Sequence, residues 1–104
     1  MNFSQKFIAL HPSIQKYVKN VVHSVDPKKI FLFGSRARGD HRPNSDFDIA
    51  VCSGDLDKTK WNLLQIELHD EPLTLHKVDL VHYEAMSDDY RENIDREGVL
   101  LYDK

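Results

Sequence analysis

Apolar positions along the chain alternate between helical and strand rhythms. Ile14, Tyr17, Val18, Val21, Val22 and Val25 recur at intervals of three and four, one helical stripe that Pro12 opens and Asp26-Pro27 closes. Ahead of it, Phe3, Phe7, Ile8 and Leu10 predict a short first helix interrupted near His11-Pro12. Lys28 to Phe33 is a short aromatic and β-branched run, the pattern of a strand buried on both faces. From Asp46 to Val51 the chain alternates strictly. Phe47, Ile49 and Val51 point one way, and Asp46, Asp48 and Ala50 the other. A helix is expected from about Asp57 to His69, with Trp61, Leu64, Gln65 and Leu68 on one face and Glu71-Pro72 breaking it. Lys77 to Tyr83 reads as a third strand. Ser87 suits an N-cap, with Asp88 and Asp89 in the first turn and Gly98 at the far end. Val99 to Tyr102 reads as a short fourth strand at an edge. Strands alternating with helices predict an α/β fold, an α+β sandwich in which a small mixed β-sheet is flanked by helices.

With 104 residues the expectation is a single domain spanning 1–104. A chain that is 40% hydrophobic and 30% charged is globular in composition rather than disordered. No apolar run exceeds four residues, as in Ile30-Phe31-Leu32-Phe33, so no membrane span and no membrane partner is expected. Met1 to Lys6 lacks the pattern of a secretory signal. The lone Cys52 cannot form an internal disulfide, which points to a reducing, cytoplasmic setting. Charge is unevenly placed: residues 1–42 carry eight Lys/Arg against two acids, and residues 43–104 six against fifteen. The basic first part suits a phosphate-bearing ligand, and the acidic remainder argues against direct binding of duplex nucleic acid.

The chemistry concentrates in Gly34-Ser35-Arg36-Ala37-Arg38-Gly39, followed by Asp46-Phe47-Asp48-Ile49. A buried strand ending in Gly-Ser, with a possible helical turn after it, places free backbone N–H groups at one point. Such groups bind phosphate oxygens, and Gly34 lets a ligand approach the backbone. Ser35 adds a hydroxyl, while Arg36 and Arg38 can neutralise phosphate charge. The plainer alternative is a strand-to-helix turn with solvated arginines. A P-loop is excluded, because Asp40-His41 stands where that motif needs Lys and Ser/Thr. Asp46 and Asp48, two apart on a strand, share a face with Cα atoms about 6.5–7 Å apart. Carboxylates so close repel unless a cation lies between them, and Mg²⁺ with a nucleotide suits that pair. Their plainer alternative is the wet face of an edge strand. Asp79 stands inside the apolar run Val78-Asp79-Leu80-Val81, where a lone buried carboxylate needs a partner. If the third strand lies beside the second, the three acids gather around the turn as in a two-metal phosphoryl-transfer site.

Phe33 to Val51, reading Phe-Gly-Ser-Arg-Ala-Arg-Gly through Ser-Asp-Phe-Asp-Ile-Ala-Val, resembles the signature of the polymerase-β-like nucleotidyltransferase superfamily. It is most similar to the minimal nucleotidyltransferases, the antitoxin halves of HEPN/MNT toxin–antitoxin pairs. The resemblance implies a nucleotidyltransferase-like fold and transfer of AMP from ATP, with release of pyrophosphate. It implies that Gly34 and Ser35 hold the triphosphate, with Arg36 and Arg38 as auxiliary contacts. Asp46 and Asp48 would bind both of two Mg²⁺ ions, and Asp79 would complete the second ion site near the attacking hydroxyl. The implied acceptor is a tyrosine of a HEPN-type helical toxin. Only 25 residues follow Asp79, so a partner or a second subunit in an oligomer is expected to cover the open site. Two rivals remain: a non-catalytic antitoxin that neutralises by complex formation, and a nucleotidyltransferase acting on a small, antibiotic-type molecule.

Among the other residues, the six histidines show no zinc-ligand spacing. Cys52 reads as a small core residue, Trp61 as core rather than a base-stacking platform, and Ser45 as a turn residue or an orienter of the acids. Tyr90 and Tyr102 are expected to be exposed and available for partner contact.

Overall fold

A computed structural model describes residues 2–54, 56–70 and 73–104. Helices α1 (Gln5–Ile8) and α2 (Pro12–Val25) lead into strand β1 (Lys29–Phe33). A single helical turn, α3 (Ser35–Arg38), precedes β2 (Phe47–Cys52), α4 (Lys58–Asp70) and β3 (Val78–His82). A 3₁₀ turn over Tyr83–Ala85, α5 (Asp88–Glu97) and β4 (Val99–Asp103) complete the order. The four strands form one mixed sheet in the order β3-β2-β1-β4, with β2 and β3 parallel and the other pairs antiparallel. This is the expected α+β architecture.

Two apolar layers hold the sheet. Ile14, Val18 and Val21 of α2 and Leu64 of α4 are buried against Ile30, Leu32, Ile49, Val51 and Leu101. Each buried aliphatic side chain of this kind contributes about 1.5–3 kcal/mol. On the opposite face Phe33 and Ala50 pack with Ile94 of α5. Strand β2 thus presents Phe47, Ile49 and Val51 to the larger layer and Ala50 to the smaller, the phase its alternation predicted. As β2 lies inside the sheet, the edge-strand alternative for Asp46 and Asp48 falls away.

Helix α2 begins at Pro12, with His11 Nδ1 accepting the Ser13 amide, and ends where Asp26 turns left-handed at φ +47°. Five expectations change. The first helix shrinks to one turn, because Ser4 caps it and Phe3 joins the sheet as an isolated bridge to Tyr102. Strand β2 starts at Phe47, whose amide donates to Lys77 O, so Asp46 stands just before the ladder. Tyr102 is buried rather than available for contact, tucked beneath Phe3 at a ring separation of 5.1 Å. Strand β3 is an edge, and Asp79 on it is exposed rather than buried. Gly98 ends α5 in extended rather than left-handed backbone, and a Cβ there would overlap the Ile94 carbonyl oxygen. The expected breaker Glu71-Pro72 lies outside the described residues. No helix among the described residues is long and apolar enough to cross a membrane.

Candidate functional site

Strand β1 delivers the chain directly into the site. After Phe33 the backbone passes through Gly34 at φ +72° and ψ −157°, a region open essentially only to glycine. A second constraint acts at the same place. A Cβ on Gly34 would overlap Asp48 Oδ2 and lie 3.1 Å from its Cγ, so the aspartate fills the space a side chain would need. The Ala37 and Arg38 amides donate back to Gly34 O, and Gly39 to Ser35 O. Ser35 and Arg36 open the turn, where amides have no carbonyl behind them, and no side chain caps it.

The strand register assembles the acids. Phe33 pairs with Asp48 across the β1–β2 ladder, and Asp48 pairs with Asp79 across the parallel β2–β3 ladder. Residues in register point to the same face, so the two carboxylates stand side by side on strands about 4.8 Å apart. Asp48 is held above the usual carboxylate range by burial first, then by the charges of Asp79 and Asp46, with Arg38 opposing. Asp79 and Asp46 therefore both act on Asp48 through space. Asp46 meanwhile reaches Lys77 Nζ at 3.7 Å. Both partners are well exposed, and such pairs contribute little. As the side chains stand, no three His, Cys, Asp or Glu groups among the described residues form a set able to hold a metal ion.

The two arginines do different things. Arg36 donates to the carbonyls of Pro43, at 3.0 Å, and Ser45, at 3.1 and 3.3 Å, and its guanidinium lies 4.2 Å above the Phe47 ring. It fastens the 39–46 loop that carries the chain from α3 to Asp46. Ser45 works in the same loop as a turn residue, exchanging hydrogen bonds with Arg42. Replacing Arg36 by alanine is expected to cost about 1–3 kcal/mol. Thermal unfolding, together with faster tryptic cleavage at Arg38 or Arg42, would register that loss. Arg38 pairs with Asp40 at 3.1 Å and Glu97 at 2.8 Å, and it is the cation whose field lowers Asp48.

One neighbour went unrecognised in the sequence. Tyr90 of α5 packs edge-on over Phe33 at a centroid distance of 6.0 Å, and Phe33 is the cross-strand partner of Asp48. Its hydroxyl is raised above the usual phenol range, by burial first and then by Asp79 and Asp48. Only the α5-to-sheet packing brings it there; its spacing in the sequence gives no such signal. Trp61 is partly buried against the larger core, 5.5 Å from the His82 ring. Cys52 sits half-buried at the end of β2, where burial and then Glu84 push its thiol up to about 11. At pH 8 the native thiol is expected to react with iodoacetamide roughly a hundredfold more slowly than the unfolded chain. Comparable rates would show that the site opens freely.

A family profile described as polymerase beta, nucleotidyltransferase, matches residues 13–104. Among solved structures, a toxin–antitoxin with AMP-PNP is 30% identical at a TM-score of 0.62, over 88% of this chain and 72% of that one. The toxin–antitoxin MntA-HpeT carrying two Asp→Glu substitutions is 29% identical at 0.64, over 86% and 72%. The same pair carrying a Tyr→Ala substitution is 28% identical at 0.61, over 88% and 72%. No curated protein sequence matches the chain.

Proposed function

The chain belongs to the polymerase beta nucleotidyltransferase family, and from that premise we propose that it moves AMP from ATP onto a tyrosine hydroxyl of a HEPN-type helical toxin, acting as its antitoxin. The observation that carries this reading is the register of Asp48 with Asp79, beside Asp46 and against the Gly34 turn. Toxin–antitoxin assemblies among the similar structures, one of them with AMP-PNP, support the partner and the nucleotide.

In this reading the uncapped Gly34-Ser35 turn receives the triphosphate through its amides and the Ser35 hydroxyl. Arg38, beside Asp48, screens phosphate charge, and Arg36 contributes by holding the loop. The acids suit Mg²⁺ in chemistry and in electrostatics. They offer hard oxygen donors, and Asp48 is unfavourably charged next to Asp79 and Asp46 until a cation joins them. Asp46 and Asp48 would hold both of two ions and Asp79 the second, with Asp46 leaving its weak pairing to Lys77. Bound ions would supply positive charge at the α-phosphate and at the acceptor oxygen. The acceptor hydroxyl gives up its proton to water and its oxygen attacks the α-phosphorus, the bond to the bridging oxygen breaks, and pyrophosphate departs. Asp79, exposed on the edge strand, stands on the side from which an acceptor can enter. Residues 1–104 act in this account as one minimal catalytic domain, closed over by the partner.

Neutralisation of the toxin in growing cells separates catalysis from simple occupancy. Wild type should rescue growth and Asp48→Ala should fail, although the variant still copurifies with the toxin. Equal rescue by both would replace the enzyme with a binding antitoxin.

A further inference from the structure

On the side of the sheet facing α2, below the 39–46 loop, lies a cavity of about 320 Å³. Its floor is apolar, made by Leu10, Leu32 and Phe47. Around it stand Lys6, His11, Arg36, His41 and His76, and no carboxylate lines it among the described residues. None of these five forms an ion pair with a described carboxylate. Asp46, Asp48 and Asp79 are absent from the lining, so the cavity is separate from the aspartate cluster.

The wall is built rather than incidental. His76 packs edge-on against His11 at 5.6 Å and against Phe47 at 5.2 Å, and Arg36 covers the same Phe47 ring. His11 Nδ1 accepts the Ser13 amide at 3.1 Å, which leaves its Nε2 as the N–H donor. Lys6 and Arg36 bring two full charges that no lining acid offsets. A concave site of this size, with an apolar floor and N–H donors around it, takes a small anionic molecule rather than a cation or a neutral one. We propose that this cavity is a second ligand site that binds a phosphomonoester on a small organic body, of about the size of a nucleoside monophosphate. The phosphate meets Lys6 and the histidines, while the organic part rests on Ala9 and Leu10. Arg36 already ties Pro43 and Ser45, so an occupant braces the loop that ends at Asp46.

The test is an amide NMR titration of the full chain in EDTA, with AMP and separately with inorganic phosphate. EDTA removes the divalent ions on which nucleotide binding at the aspartates would depend. Saturable shifts are expected at Leu10, His11, His41 and His76, with AMP bound at least about fivefold more tightly than phosphate. Lys6→Glu should weaken AMP by about tenfold or more, whereas Lys19→Glu, an equal charge change elsewhere on the surface, should leave it unaltered. Absence of saturation, shifts confined to Gly34 and Ser35, or equal weakening by both charge reversals would overturn the site. Equal affinity for AMP and phosphate would overturn recognition of the organic body.

Discussion

Replacing Asp48 by asparagine is expected to abolish nucleotidyl transfer while making the metal-free protein more stable. The two effects share one cause. Asp48 is half-buried beside Gly34 with Asp79 and Asp46 as neighbours, and partial burial followed by their charges raises its carboxyl above the ordinary range. The folded state therefore keeps this proton at pH values where the unfolded chain has lost it. Stability falls as pH rises from the ordinary carboxylate value through the raised one, and the whole penalty is present above it. Asparagine has nearly the same shape and carries no charge. Its advantage should be full at pH 7 and vanish in acid below the ordinary carboxylate range. Melting temperatures at pH 7 and pH 3 without divalent ions measure this, and a variant less stable at pH 7 would contradict it. Transfer should drop on the order of a thousandfold, because an amide replaces an anionic ligand at the reacting phosphate.

The second large effect is Gly34→Ala. Two independent penalties meet at that residue: a backbone at φ +72°, ψ −157°, and a methyl group overlapping Asp48 Oδ2. Strain of this kind costs about 1–3 kcal/mol, and overpacking adds a similar amount. For a chain of this length that lowers the melting temperature by on the order of 10–20 °C. The overlap also predicts an interaction between sites. In the Asp48→Ala background the second penalty is removed, so Gly34→Ala should cost measurably less. Additive losses in this double-mutant cycle would mean that the two residues do not touch.

Helix α2 and the central strands were legible from pattern alone. A stripe at helical spacing and a strict alternation each have one way to bury their apolar side, and β2 placed Asp48 and Ala50 opposite Ile49 as expected. The acids were legible for the same reason, since a strand one residue out of step would have put them into the core. Asp79 was placed correctly beside Asp48 on a partly mistaken ground. Its strand is an edge, so the aspartate needs no partner to be tolerated there. What escaped depended on tertiary contact. Tyr102 is buried because Phe3 leaves the first helix to cover it. Arg36 is drawn to loop carbonyls that no spacing rule names. Tyr90 enters the field of the aspartates only because α5 packs against β1, setting its ring over Phe33.

Nucleotidyl transfer itself is tested most directly with two labelled forms of ATP. The protein is incubated with Mg²⁺, its toxin and ATP labelled at the α-phosphate or at the γ-phosphate. Label should pass to the toxin from the α position only, and Asp48→Asn and Asp79→Asn should each abolish it. Label arriving from the γ position, or α-label transferred undiminished by both variants, would contradict the chemistry assigned to these aspartates.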